Sequence, residues 1–369
     1  MGLFLGKNMK KILLIEPFFS GSHKSWAEQF KSNSKHHIEI LSLPGKFWKW
    51  RMYGAAQTLA EMFLNLEFEP DIILATDMLD LATFVALSRN KLNNKEIYLY
   101  FHENQMAYPW KENSEDKKSN RDVHYGFMNY NSALVADKIL FNSKHNMTSF
   151  YEAMRPILKA MPDCNHKTIE ALYKKSNVLP IGIHLKHHDV TVDLPYTGSQ
   201  PLILWNHRWE FDKNPDDFFN ALITLRKEGY QFKLALLGEV YKNAPDSLTH
   251  GLDYFKDDIL ITGFMTKETY SSWLQAADIL PVTSIHDFFG ISVMEAIYMD
   301  TYPILPNRLT YPDLYRFDDH PEIFYETQEE FIDKLRLALK SSQRKSYRHL
   351  CLDYDWDTII EKYDNTFID

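Results

Sequence analysis

Cysteine is almost missing from this chain: two in 369 residues, Cys164 and Cys351, far apart and with no CxxC neighbour. That excludes a disulfide framework and a cysteine-based zinc site, and both thiols are expected to be structural. Long apolar runs are missing as well. No stretch reaches the roughly 18 residues that a membrane span needs, and the N-terminus has no apolar segment followed by a small-residue cleavage site. Gly6 stands where a myristoylation signal wants Ser or Thr. The expectation is a cytoplasmic protein with no membrane partner, a monomer, with residues 1–8 an extension before Met9. Positive charge is scarce in one half only. Residues 1–185 carry 23 Lys+Arg against 19 Asp+Glu, whereas the remainder carries 18 against 31.

What is present is an ordinary globular composition, 45% apolar, in a chain longer than one core usually organises. The segment KKILLIEPFFSGSHKSWAEQF reads as a buried strand (Ile12 to Ile15), a loop with Pro17 and Gly21, and a helix carrying Trp26 and Phe30. Strand-like runs recur at 37–43, 71–76, 96–101, 137–143 and 177–183, with helix-length stretches between most of them. The pattern breaks at 184–201, which holds Pro195, Gly198 and Pro201, and restarts at 202–206, 232–238, 258–263, 278–284 and 301–306. Alternation of this kind predicts an α/β protein of two doubly wound, Rossmann-like domains with parallel sheets. The expected division is an N-terminal domain 1–185, a linker 186–200, a C-terminal domain 201–345, and a terminal helix 346–369 packing back on the first domain.

The most informative stretch is TSIHDFFGISVMEAIYMDTYPILP (283–306), read as strand end, loop, helix and next strand, with the helix beginning near Gly290. Free N–H groups at a helix N-terminus beyond the carboxyl ends of the strands suit a phosphate. Asp287 lies in the loop and Glu295 eight positions later in the helix, so one carboxylate can reach a sugar and the other a ribose diol. On spacing alone an ordinary βαβ unit whose Asp caps a helix is the simpler reading. In WNHRWEFDKNPDDFF (205–219), Arg208 and Lys213 stand after a strand in an R-x4-K arrangement, with four residues between them. Fixed cations there would stabilise the charge that develops on a departing diphosphate; two solvated surface cations are the plain alternative.

These strings resemble glycosyltransferase family 4. HDFFGISVMEA is similar to its E-x7-E signature through Phe289-Gly290 and Glu295-Ala296, with Asp287 replacing the first Glu, and Asp300 stands where the family has Gly. The resemblance implies a GT-B fold whose two domains face across a cleft. It implies contacts from Asp287 to the donor sugar and from Glu295 to the nucleotide ribose, with Arg208 and Lys213 as the phosphate clamp. It further implies a glycine turn at Gly21 near the donor phosphates, His102 near the sugar, and Ser143 as a polar contact. The order SGSHK, FHENQ, FNS, NHRWEFDKNP and HDFFG, from Ile12 to Pro312, resembles a narrower group, the tRNA-queuosine α-mannosyltransferases. That resemblance implies GDP-mannose as donor, queuosine at the wobble position of tRNA(Asp) as acceptor, and retention of configuration.

An RNA acceptor has some independent support. KFWKWR (46–51) interleaves Lys46, Lys49 and Arg51 with Phe47, Trp48 and Trp50, a strip able to pair phosphates and stack an unpaired base. An amphipathic segment with its Trp side chains in the core fits the same letters. A second basic cluster, KKSNR, lies at 117–121. Any tRNA should contact mainly the less acidic N-terminal half. DYDWD (353–357) imitates a D-x-D metal motif but is expected to cap the terminal helix, and HLKHH (184–188) lacks a supporting carboxylate or Cys, so no metal is expected. The rival readings are a family 4 enzyme acting on a lipid or polysaccharide, and a binding protein for nucleotide sugar or tRNA without catalysis.

Overall fold

The computed structural model describes residues 9–109, 121–238, 246–341 and 343–368. It forms two compact units, Met1–Ile183 with Trp356–Asp369, and His184–Asp355. Each is built on a six-stranded parallel sheet.

In unit 1 the strands are β1 (Lys11–Phe19), β2 (His37–Pro44), β3 (Ile72–Thr76), β4 (Glu96–Phe101), β5 (Lys138–Phe141) and β6 (Ser176–Val178), in the order β2-β1-β3-β4-β5-β6. Ile12 to Ile15 are fully buried, as the continuous apolar run of a strand covered on both faces requires. Helices α1 (Gly21–Asn33), α2 (Trp48–Leu64) and α3 (Lys144–Ala160) follow β1, β2 and β5. The strand order reverses between β1 and β3, so their loops part there and open the crevice in which such sheets bind ligands. The strand expected at 177–183 is reduced to Ser176–Val178; Pro180 has no N–H with which to continue a ladder.

In unit 2 the strands are β7 (Leu202–Trp205), β8 (Lys233–Leu237), β9 (Ile259–Gly263), β10 (Ile279–Pro281), β11 (Tyr302–Pro306) and β12 (Phe324–Tyr325), in the order β12-β11-β10-β7-β8-β9. Read from the β9 edge, this is the 3-2-1-4-5-6 arrangement of dinucleotide-binding sheets, with its switch point between β7 and β10. The relevant helices are α4 (Pro215–Lys227), α5 (Lys267–Ala276) and α6 (Ile291–Tyr298). Two-residue β12 has no periodic signal and was not expected from sequence.

The division differs from the expected one at two places. Residues 186–200 group with unit 2 and not as a free linker. His188 is buried with Nδ1 2.7 Å from Ser271 Oγ, and Asp189 accepts a hydrogen bond from Tyr298 Oη at 2.6 Å. The return to unit 1 begins at Trp356 and not at 346, because Arg348 lies over the Tyr298 ring at 3.8 Å and pairs with Asp189. The helix Trp356–Thr366 then packs in unit 1: Tyr363 Oη donates to Pro180 O at 2.8 Å, and Trp356 covers Gly182 so closely that a Cβ there would lie 2.5 Å from its ring. Within DYDWD, Asp355 is buried and its Oδ2 accepts from the Leu185 amide at 3.0 Å. Of the cysteines, Cys351 is buried but Cys164 is exposed, so only the first fits a structural role.

Candidate active site

Two loops diverge at the switch point of unit 2. The one after β7 carries Asn206, His207, Arg208 and, in a single helical turn at Phe211–Lys213, Lys213. The one after β10 carries His286 and Asp287 and ends on Gly290, which caps α6. Backbone bonds join them: the Ile285 amide donates to Asp212 O at 2.8 Å, and Thr283 Oγ1 donates to Lys213 O at 2.8 Å.

Lys213 is almost fully buried. Its ammonium donates to His286 O at 2.8 Å and to Asp287 Oδ2 at 3.3 Å, with Asp212 Oδ2 also at 3.3 Å. Burial pulls its pKa down, but Asp287 and Asp212 outweigh burial and hold it above the ordinary lysine value. Asp287 shows the converse: burial pushes its carboxyl up, and Lys213, His207 and His286 together hold it below the ordinary value. Tyr311 Oη donates to Asp287 Oδ2 at 3.1 Å and the Phe289 amide to Oδ1 at 3.3 Å. The two are therefore a fixed ion pair. Arg208 is half exposed, 3.6 Å from Glu210, and close enough that its charge lowers the Lys213 pKa.

Gly290 adopts φ +80°, a left-handed value that favours glycine, and an added Cβ would lie 3.3 Å from Tyr311 Cε1. The first turn of α6 has neither an acidic side chain nor a side-chain cap, so its amide donors and positive dipole end are open to an anion. One turn into this helix Glu295 accepts from Tyr270 Oη at 3.0 Å, with His188 Nε2 at 3.7 Å. Tyr270 in turn accepts from Asn206 Nδ2 at 3.1 Å. Asp300 follows α6 at φ +67°, the left-handed position that ends a helix. Asp tolerates that conformation through its short polar side chain, which explains how it replaces the family's Gly.

The other candidates lie in unit 1. Gly21 opens α1 at φ +51° and is exposed. Ser143 is buried and its hydroxyl accepts the Asn146 amide at 3.0 Å, so it serves as the N-cap of α3. His102, just beyond β4, is buried against Trp26, Tyr100 and His23, and its amide donates to Asp77 Oδ1 at 2.9 Å. Burial and the neighbouring His23 charge hold the His102 ring well below its usual pKa, hence neutral. Around it stands a cluster that spacing did not reveal. Glu16 on β1 accepts from the Phe18 amide at 2.8 Å and faces His23 Nδ1 at 3.1 Å. Burial lowers the His23 pKa, yet Glu16 raises it to about 9. Burial lifts Asp77 to about 7 despite the His23 charge.

Glu16, His23 and His102 offer ligand atoms within 4.8 Å of one another, a cation-sized spacing. Ligand imidazoles bind a metal in the neutral form, so an ion there would have to displace the proton that Glu16 favours on His23. Among the described residues no helix is long and apolar enough to cross a membrane.

Residues 11–183 match the family described as tRNA-queuosine alpha-mannosyltransferase N-terminal, and residues 193–350 match Glycosyl transferases group 1. A Drosophila melanogaster protein named tRNA-queuosine alpha-mannosyltransferase is 34% identical over 313 residues, 82% of this chain and 81% of that protein. The chain belongs to the tRNA-queuosine alpha-mannosyltransferase family. It is a glycosyltransferase. Solved structures agree on the GT-B fold. The catalytic domain of starch synthase IV from Arabidopsis thaliana, bound to ADP and acarbose, matches with TM-score 0.70 at 13% identity, over 97% of this chain and 98% of that one. Sucrose-phosphate synthase from Thermosynechococcus elongatus matches with TM-score 0.68 at 12% identity and the same coverage.

Within the frame of this family, the structure brings Lys213 and Asp287 into contact and sets Arg208 beside them. Glu295 sits apart from them, hydrogen-bonded to Tyr270 with the His188 ring 3.7 Å away. His207 is a further site residue that sequence reasoning passed over. It is buried, burial and Lys213 lower its pKa to about 4, and its Nε2 has no partner. Its position inside NHRWE was the available signal.

Proposed function

We propose that this enzyme transfers mannose from GDP-mannose to queuosine at the wobble position of tRNA(Asp), in the cytoplasm, with retention of configuration and without a metal. The observation that carries the donor half is the buried Lys213–Asp287 pair beside the open N-terminus of α6. Lys213, Arg208 and the helix amides supply fixed positive charge where a departing diphosphate gains negative charge, the work otherwise done by a divalent cation. Asp287, already ionised and oriented, accepts hydrogen bonds from sugar hydroxyls, and Glu295 from the ribose diol. In a retaining transfer of this kind the departing phosphate oxygen takes the proton of the acceptor hydroxyl, so no carboxylate nucleophile is needed. His102, being neutral, serves in unit 1 as a polar contact for a substrate hydroxyl.

The name of the 34% identical relative supports queuosine as acceptor. So does the KFWKWR strip. Trp48 packs against Tyr125 at 5.5 Å, whereas Phe47 and Trp50 are 79% and 62% exposed. Phe47 holds a left-handed φ of +57°, and Lys46 and Lys49 are exposed beside it. The strip thus turns one indole inward and two aromatics outward, an arrangement suited to stacking unpaired bases. Residues 117–120 of the second basic cluster lie outside the described residues. The test is a donor panel: labelled GDP-mannose, UDP-glucose and GDP-glucose are each incubated with queuosine-containing tRNA, with and without EDTA. Label should enter tRNA from GDP-mannose at an EDTA-independent rate; label from another donor, or loss of transfer in EDTA, refutes the corresponding part.

A further inference from the structure

The polar cluster at the switch point of unit 1 is larger than one hydroxyl contact from His102 requires. Three strand exits meet there: Glu16 near the end of β1 with His23 on α1, Asp77 just after β3, and His102 just after β4. Asp77 is 1% exposed; its Oδ1 accepts the His102 amide, and its Oδ2 has no partner. His102 is 5% exposed and its Nε2 has none either. Buried polar atoms are almost always satisfied, so unpaired ones at the mouth of an α/β crevice point to a ligand that supplies hydrogen bonds. His23 turns Nδ1 to Glu16 at 3.1 Å, which as a protonated ring leaves Nε2–H as a second donor. The set therefore offers a carboxylate acceptor, a cationic donor and a neutral imidazole, held by strands, by the Glu16 pair and by the aromatic packing of His102.

Resting on the acceptor proposed above, we propose that Asp77, His23 and His102 form a binding subsite for the vicinal diol on the cyclopentene ring of queuosine. One hydroxyl donates to Asp77 Oδ2, and the oxygen of its neighbour accepts from His23. A diol matches such a mixed array because each hydroxyl both donates and accepts. The subsite makes recognition of the acceptor depend on the ring that distinguishes queuosine from its precursor bases. Asp77 is ionised only in part near neutrality, since burial, joined by the charges of Glu103 and Glu16, lifts its pKa to about 7 against the His23 charge. Tyr100 and neutral His102 complete its surroundings.

The experiment measures equilibrium binding of the full chain to two tRNAs differing in one base: one carries queuosine, the other the aminomethyl precursor that lacks the cyclopentene ring. Wild type should bind the first at least about tenfold more tightly, the effect of one or two hydrogen bonds. Asp77→Asn keeps an acceptor for the His102 amide but puts a donor in place of Oδ2, and should erase the preference while GDP-mannose affinity stays unchanged. If that variant melts early, His23→Gln carries the same comparison. Equal binding of both tRNAs by wild type, or an undiminished preference in the variant, overturns the subsite. Transfer by the wild type separates the two claims. No mannose moved to queuosine tRNA refutes the function itself, whereas normal transfer with an undiminished preference in the variant refutes only the subsite.

Discussion

Replacing Lys213 by Ala should damage rate and stability through separable routes. The ammonium sits 2.8 Å from His286 O and 3.3 Å from Asp287 Oδ2, nearly excluded from water. A fixed donor facing charge that develops in a transition state is worth a factor of about 10²–10³, or roughly 3–4 kcal/mol. Its removal also leaves Asp287 buried without its cation, and breaking a buried pair costs about 3–5 kcal/mol. Tyr311 and Phe289 still donate to that carboxylate, so the lower end applies. In Lys213→Ala/Asp287→Asn one of the two stranded charges is gone, while buried Asp212, 3.3 Å from the wild-type ammonium, keeps its own. The double variant should regain about 2 kcal/mol of the lost stability and none of the lost rate. Urea unfolding and initial-rate kinetics on the two single variants and the double complete the cycle. A double variant that recovers activity, or a Lys213→Ala enzyme within twofold of wild type, refutes the clamp assignment.

Three further outcomes are expected. Arg208→Ala should lower kcat/KM about 10²-fold with the melting temperature unchanged, because the side chain is half exposed and its work is on the leaving group; an early melt would recast it as structural. Folding stability should fall from pH 6.5 to beyond 9: His23, raised from 6.5 to about 9, contributes fully below 6.5 and loses its contribution as pH climbs through 9, worth about 3 kcal/mol. Asp77, raised to about 7, acts in the same direction at lower pH, and His23→Gln should flatten the alkaline part of thermal melts; equal slopes reject the ion pair. Trp50→Ala should weaken tRNA binding by about 1–3 kcal/mol without changing GDP-mannose affinity, and unaltered tRNA binding removes the strip from the interface.

The fold was legible because every strand except β12 leaves a compact apolar run, and because the restart at residue 202 repeats the order of elements. The donor loops were legible for a related reason. Arg208 with Lys213, and Asp287 with Glu295, each lie within a few residues on one loop or helix, so spacing preserves their relation. Asp77, His23 and Glu16 had no such trace. Glu16 on β1 and His23 on α1 are only seven residues apart, but Asp77 follows β3 much further along the chain, and only the pairing of β1 with β3 brings it to them. His188 was dismissed with its His-rich run because no metal ligand stood near it, whereas its ring lies against Ser271 and near Glu295 in space. Ser143 shows the limit in the opposite direction, since a Ser at a strand exit is equally a helix cap, and here its hydroxyl is engaged as one.

The central claim is tested most directly by nucleoside mass spectrometry. tRNA(Asp), with and without queuosine, is incubated with the enzyme and GDP-mannose, then digested. The account predicts that the queuosine signal moves by the mass of one hexose and that tRNA lacking queuosine is unchanged. Queuosine left unmodified while GDP-mannose is consumed, or a hexose found on tRNA without queuosine, would contradict it.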